Sequence, residues 1–526
     1  MFINVVAAQK PNIILIVSDD MGFSDLGCYG GEIHTANLDR LAKTGIRFTQ
    51  FYNTARCCPT RASLITGLYP HETGIGHMSN TPENPTSFDI GLPGYRGFLN
   101  RNCVTIAEVL KEAGYATLMT GKWHLGMKDK SLWPLQRGFD KYYGILAGAC
   151  NYFKPIYPRG ITLNNDTVSI NDQDYYSTDA FTENAIKFIR DSKFHYPEKP
   201  FFLYLAYNAP HWPLNAPQKD INKYRGYYKM GWENLREVRF HKMVELGIVD
   251  STWELSPPDS REWKSLSDEK KNEMEIRREI YAAQVDRMDQ NIGKLVHFLE
   301  KDNLIDNTVI VFISDNGACA EGGELGGGPA SQLQTREGFM LSYGRAWANA
   351  SNTPFKRYKH WLHEGGISSP MIVHWPDGIK KENEGKLIRN YGFLPDIMAT
   401  FVELGKAQYP ETFQGNIIHP LMGKSLVSLF KGEDKPVHNE PIFWEHEGNK
   451  AVRFGNYKLV MAWDDKHPEK WELYDMNKDR TEMFDLSAKM PEKVDEMKNM
   501  WEDWAQNYSV ESWPKVQELY RQKAEK

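Results

Sequence analysis

"PNIILIVSDD", Pro11 to Asp20, decides the fold of this chain. Ile13 to Val17 run without any polar alternation, so both faces of the segment must be covered. A short run of that kind reads as a strand buried in a parallel sheet. Two later stretches have the same texture, "KPFFLYLAYNAPH" (199–211) and "NTVIVFISDNG" (307–317), and each also ends in polar residues. Between them "EIYAAQVDRMDQNIGKLVHFLEK" (279–301) reads as a helix, with Met288, Ile292, Leu295, Val296 and Leu299 on one apolar face. "CVTIAEVLKEAGYATLMTGKWH" (103–124) reads as a helix starting near Thr105, a glycine and a further strand. Strands alternating with helices predict an α/β domain whose mixed sheet is mostly parallel and flanked by helices.

At 526 residues the chain is long enough for two domains. The first is expected over 1–433, with 216–269 as a partly helical insertion rich in charge, Trp and Tyr. From 434 to 526 the texture changes. "EPIFWEHEGNKAVRFGNYKLVMAWD" and "KWELYDMNKDRTEMFDLS" alternate around Gly, Asn and Asp turns, and "PEKVDEMKNMWEDWAQ" is amphipathic. This predicts a small α+β domain with an antiparallel sheet. The net charge of −6 is spread along the chain, with no basic stripe for a nucleic-acid backbone. The six cysteines fit no zinc spacing and no disulfide scaffold, although one or two bridges are compatible with them. The lead-in "MFINVVAAQK" reads as the remnant of a shortened export signal, hence a periplasmic or secreted protein, or as a plain lead-in to a cytoplasmic one. No run reaches the length of a membrane span.

In an open α/β sheet, sites form outside the carboxyl ends of the strands. Asp19 and Asp20 end the first strand; Asp315 and Asn316 end a later one. Three carboxylates and an amide are hard oxygen ligands, suited to Ca²⁺ or Mg²⁺, although an acidic pair after a strand also serves as a turn or helix cap. "GKWHLG" supplies Lys122 and His124, "NAPHWPL" supplies His211, and "FKRYKHWLHEGG" supplies Lys359, His360 and His363. Cations gathered around a cation site call for an anion, sulfate or phosphate. "TARCCPTRASLITG" (54–67) places Cys57 at a helix start near Arg61, where a thiol would be acidified into a nucleophile. A buried structural pair or a redox pair are the alternatives for Cys57 and Cys58.

Cys57-Cys58-Pro59-Thr60-Arg61, continuing to Thr66-Gly67, resembles the signature Cys-x-Pro-Ser/Thr-Arg of the type I sulfatases, in the alkaline phosphatase superfamily. The resemblance extends over nearly the whole chain. The insertion and "YAAQVDRMDQNIGKLV" are similar to bacterial arylsulfatases. It implies an alkaline-phosphatase-like fold and a sulfuric ester hydrolase in which a maturation enzyme oxidises Cys57 to Cα-formylglycine, with Cys58 a bystander. It implies that Asp19, Asp20, Asp315 and Asn316, with residue 57, hold Ca²⁺, Mg²⁺ being the alternative. It assigns the basic set to Arg61, Lys122, His124, His211 and Lys359. Lys359 stands five residues before Glu364 of "EGG", and Lys356 is its rival.

The mechanism so implied uses the hydrated aldehyde as nucleophile, helped by Asp315, with Lys122 and Lys359 offsetting sulfuryl charge. His211, with Lys359, would protonate the leaving alcohol or phenol, Arg61 would hold the diol, and His124 would take the proton that lets sulfate depart. The expected partner is a sulfated small molecule or saccharide. A phosphonate monoester or phosphodiester hydrolase of the same superfamily is one rival. A non-catalytic binder of sulfated glycans, with Cys57 unmodified, is the other. Specificity is expected in 73–102, 151–166 and the 216–269 insertion.

Overall fold

A computed structural model describes residues 10–84, 86–464 and 470–525; the lead-in read as a signal remnant lies almost wholly outside them. The strand Asn12–Ser18 sits at the centre of an 11-stranded sheet, parallel to Phe201–Ala206 on one side and Thr308–Ser314 on the other. Beyond Phe201–Ala206 the strands Ala116–Lys122 and Lys141–Ile145 continue the parallel order. On the other side Ser368–His374 runs antiparallel to both Thr308–Ser314 and Ile46–Tyr52. The sheet is therefore mixed and mostly parallel, as the apolar runs require.

The double burial read from "IILIV" has a direct counterpart. Ile14 and Ile16 enter the core on one face, and Ile13, Leu15 and Val17 enter the core on the other. The Ile106–Glu112 helix is opened by a reciprocal cap. Thr105 Oγ1 accepts from the Glu108 N–H at 3.1 Å, and Glu108 Oε2 accepts from the Thr105 N–H at 2.7 Å. The long helix begins at Asp268, earlier than the apolar pattern indicates, and runs to Lys301. Its first turns carry little apolar surface. They are fixed instead by buried arginines: Arg277 pairs with Glu273 at 2.8 Å, and Arg278 reaches Asp25 at 2.9 Å. The 216–269 stretch is partly helical, and its Gly231–Glu245 helix packs Trp232, Leu235 and Met243 into the main core.

Four antiparallel strands, Ile442–His446, Asn449–Phe454, Tyr457–Met461 and Trp471–Asp475, form a separate sheet backed by the Pro491–Asn507 helix. The alternation read onward through "NKDRTEMFDLS" does not continue as strand. Asp479 instead accepts from the Met483 and Phe484 N–H groups and turns the chain. A last helix, Trp513–Ala524, follows without having been anticipated. Trp444, Trp501 and Trp504 share a core with Tyr52, Leu362, Ile367 and Phe393, so the smaller sheet is packed against the larger. All six cysteines carry free thiols.

Candidate active site

The carboxyl ends of the central strands converge on the start of the Cys57–Thr66 helix. All ten residues of that helix are buried. Arg61 lies one turn into it and is fully buried. Its guanidinium donates to Asp315 Oδ2 from Nε at 3.0 Å and from Nη2 at 2.8 Å, and to the Lys122 carbonyl at 3.2 Å. Arg61 therefore makes its hydrogen bonds to a carboxylate, while its charge still acts on the neighbouring Cys57 thiol. The Cys57 thiol is held well below its ordinary range. A hydrogen bond from Cys58, and then the Lys122 and Lys359 ammoniums, outweigh the burial that opposes charge. Cys58 is itself a packed interior thiol that accepts from the Ser79 N–H at 3.2 Å.

The four oxygen-bearing residues meet across the two strand ends. Asp315 Oδ1 accepts from the Asp20 N–H at 3.1 Å, and Asn316 Nδ2 donates to Asp20 Oδ1 at 2.6 Å. Lys122 Nζ lies 2.7 Å from Asp19 Oδ2, and Lys359 Nζ lies 2.9 Å from Asp20 Oδ2. Three carboxylates therefore face three permanent cations in a buried space. Two oxygens remain unsatisfied: Asp19 Oδ1 and Asn316 Oδ1 are buried without a hydrogen-bond partner. Burial, then the Asp19 carboxylate, pushes Asp315 up to about 8, the behaviour of an acid short of countercharge. Orphaned hard oxygens among three converging buried carboxylates fit a divalent oxygen-seeking cation of the Ca²⁺ or Mg²⁺ kind.

The histidines stand on either side. His211 Nε2 is 3.4 Å from Asp20 Oδ2, and its Nδ1 is fixed against the Trp212 carbonyl at 2.6 Å. His124 shares a cluster with Cys57 and Cys58 whose ligand atoms all lie within 4.8 Å of one another. Burial drives its imidazole down to about 4, so it stands neutral at physiological pH. A side chain at Gly148 would meet that ring at 2.6 Å, which accounts for the glycine. Asp20 and His124 both adopt positive φ, 66° and 57°, a strain that packed functional sites tolerate.

Lys359 and Lys356 separate cleanly. Burial works against the charge of Lys359, yet Asp20, Cys319 and Glu321 outweigh it and hold the ammonium well above its ordinary range. Lys356 turns away, to the Tyr474 hydroxyl at 2.9 Å. His363 also leaves the site, pairing with Glu472 at 3.0 Å, and His360 stands at the rim beside Glu447. Sequence reasoning missed Arg56 and Glu321. They pair at 3.1 Å, and Glu321 lies 3.5 Å from Lys359. Arg56 precedes the signature and was legible as its neighbour; Glu321 sits in a glycine-rich loop that carries no periodic signal.

Comparison with known proteins shows the family of the chain. The family described as Sulfatase matches residues 11–407, and that described as N-sulphoglucosamine sulphohydrolase, C-terminal, matches 356–507. An uncharacterized sulfatase of Schizosaccharomyces pombe is 35% identical over 525 residues, covering 94% of this chain and 93% of that protein. An arylsulfatase of Klebsiella aerogenes is 32% identical over 440 residues, covering 80% and 92%. The crystal structure of Ps i-CgsB superposes with a TM-score of 0.71 at 29% identity, covering 96% of this chain and 95% of that one. The fold is that of the alkaline phosphatase superfamily. With a buried, basic, carboxylate-lined centre at the strand ends and a family match over most of its length, the chain belongs to the sulfatase family and is a sulfuric ester hydrolase.

Proposed function

We propose that this chain hydrolyses sulfate monoesters, of sugars or of phenols, with residue 57 as nucleophile after oxidation of Cys57 to formylglycine, and with Ca²⁺ held by Asp19, Asp20, Asp315 and Asn316. The observation that carries the reading is the balance at the strand ends. Three buried cations meet three buried carboxylates around Cys57, and two oxygens there have no hydrogen-bond partner, one of them, Asp19 Oδ1, lying 3.7 Å from Arg61 Nη2. The oxidised residue would supply the attacking oxygen, and the cation would supply Lewis-acid polarisation of the sulfuryl group. Lys122 and Lys359 offset charge on the sulfuryl oxygens from fixed positions, at no cost of reorganisation during the reaction. His211, anchored at Nδ1, presents Nε2 for protonating the leaving oxygen, with Lys359 beside it. His124, neutral and next to residue 57, accepts the proton released there. Arg61 fixes Asp315 to the helix. The substrates suggested by relatives differ: Ps i-CgsB was crystallised with k-i-k-neocarrahexaose, and the Klebsiella relative is named an arylsulfatase.

Mass spectrometry of the peptide spanning Cys57, from active protein, tests the first half. An aldehyde at residue 57 is expected, and active enzyme carrying only thiol there would sink the reading. Calorimetry and thermal melts test the second half. Ca²⁺ at about a hundredfold its Kd adds ~2.7 kcal/mol to the native state, so the melting midpoint should rise on addition and fall again with chelator. Asp19→Asn should abolish the shift. A chelated protein with unchanged midpoint and full activity would contradict the calcium assignment.

A further inference from the structure

A line of alternating charge leads outward from Lys359. Glu321 Oε1 touches Lys359 at 3.5 Å and Arg56 Nη1 at 3.1 Å, while the Trp212 indole N–H donates to Glu321 Oε2 at 2.7 Å. Arg56, the residue before Cys57, also feels the Glu447 carboxylate. Glu447 is held in turn by His360 Nδ1 at 3.0 Å and His77 Nε2 at 2.8 Å. Glu447 forms the tip of the two-residue turn joining Ile442–His446 to Asn449–Phe454, with positive φ of 50°. Unlike the buried centre, these groups reach solvent: the side chains of Glu321, His360, Arg56 and Glu447 are 36%, 30%, 20% and 20% exposed.

His360, His446 and Glu447 are close enough to hold a metal ion, but the local hydrogen bonds oppose it. Asn449 Oδ1 accepts from the Trp463 N–H, so the amide NH₂ of Asn449 faces His360 Nε2. That nitrogen accepts, which leaves the proton on Nδ1, the atom aimed at Glu447. A ligating imidazole would need the opposite tautomer.

We propose that this mouth is a subsite for the leaving group, with Glu447 and Glu321 as acceptors for a free hydroxyl next to the sulfate ester, so that the substrate class is a monosulfated polyol such as a sugar. The inference rests on the sulfatase reading above. A carboxylate offers about four acceptor positions; Glu321 uses three on Arg56, Lys359 and Trp212, and Glu447 three on His360, His77 and His446, so about one is left on each. Hydroxyl protons suit the remaining positions. A second sulfate on the neighbouring carbon has no proton to give these two acceptors and would set its oxygens against carboxylate oxygens already paired with Arg56, Lys359 and His360, which raises its cost of entry. Trp212, in the same wall and bonded to Glu321, offers an aromatic surface of the kind sugars pack against. A simple phenol has no hydroxyl to place there and would not sense Glu447.

The test compares wild type and Glu447→Gln, both with Cys57 shown to be oxidised. The substrates are 4-nitrophenyl sulfate, a sugar monosulfate with a free adjacent hydroxyl, and the same sugar sulfated at both positions. Wild type should favour the monosulfate over the disulfate by at least about tenfold. Glu447→Gln should lose about 10- to 100-fold in kcat/KM on the monosulfate, the range of a hydrogen bond to a charged group, with aryl sulfate turnover within about twofold. The preference against the disulfate should narrow. Equal losses on all three substrates would mean that Glu447 only latches the turn in place, and no loss on any would mean that it never meets substrate; either overturns the inference. Should Glu447→Gln fail to fold, Glu321→Gln must narrow the same preference, whatever it does to aryl turnover through Lys359. A wild type that cleaves the aryl sulfate but neither sugar overturns this inference alone. One that cleaves none of them overturns the reading beneath it.

Discussion

Cys57→Ser should fall by at least about 10³-fold in multiple turnover while still binding substrate, the scale seen when a nucleophile acting in a concerted group is removed. The environment would remain intact: the Cys57 position is buried at the helix start, Arg61 would keep Asp315, and Lys122 and Lys359 would keep Asp19 and Asp20. A serine there has one hydroxyl. It can attack sulfur once, but it has no second oxygen through which to release the sulfate it acquires. Pre-steady-state kinetics should therefore show at most one equivalent of alcohol or phenol released per enzyme. Mass spectrometry should find sulfate on the new serine. Sustained turnover at the wild-type rate would exclude residue 57 as the nucleophile.

The largest effect on stability is expected at Lys458→Met. Lys458 is fully buried between Glu364 Oε1 at 3.0 Å and Glu482 Oε1 at 2.9 Å. Glu364 is further held by Arg480 at 2.9 Å, whose guanidinium also donates to the Thr49 carbonyl at 2.7 Å. The cluster ties the smaller sheet to the end of the larger one. Removing one partner of such a network typically costs 3–5 kcal/mol, because it strands a buried charge. Burial alone would raise the Glu364 pKa, but Lys458, Arg480 and Arg453 overcome it and hold it down to about 2. The folded value lies below the unfolded one, so this stabilisation is complete above the unfolded carboxylate pKa, about 4.3. It is lost as pH falls toward 2. The deficit of Lys458→Met in urea melts should therefore be full at pH 7 and shrink below about pH 4. A deficit under about 1 kcal/mol at pH 7 would show that the network contributes little.

The central strands were legible because apolar runs such as Ile13–Val17 have one physical solution, burial on both faces. The start of the Ile106–Glu112 helix was legible because Thr105 and Glu108 cap it locally. The antiparallel partners Ile46–Tyr52 and Ser368–His374 were not, since pairing direction depends on residues far apart in sequence. The Asp268 start of the long helix escaped because its first turns are held by Arg277 and Arg278 through ion pairs, which leave no apolar period. Within the site, the strand-end acids declared themselves by position. Cys57 and the basic residues needed the resemblance to a known signature. The hydrogen bonds of Arg61 to Asp315 were not legible, because they join a helix to a strand end 254 residues away. Glu321 and Glu447 lie on loops and at a turn, where only the fold reveals what they face.

The complete burial of the Cys57–Thr66 helix also sets an order of events in the life of the molecule. An enzyme that oxidised Cys57 by gripping the residues around it would need them extended and open, yet in the finished fold Cys58, Thr60 and Arg61 are fully buried and Cys57 is only 2% exposed. The oxidation proposed above would then precede docking of this helix. The chain emerges with its chemistry still unwritten, and closing of the sheet around it seals whichever version of residue 57 is present at that moment.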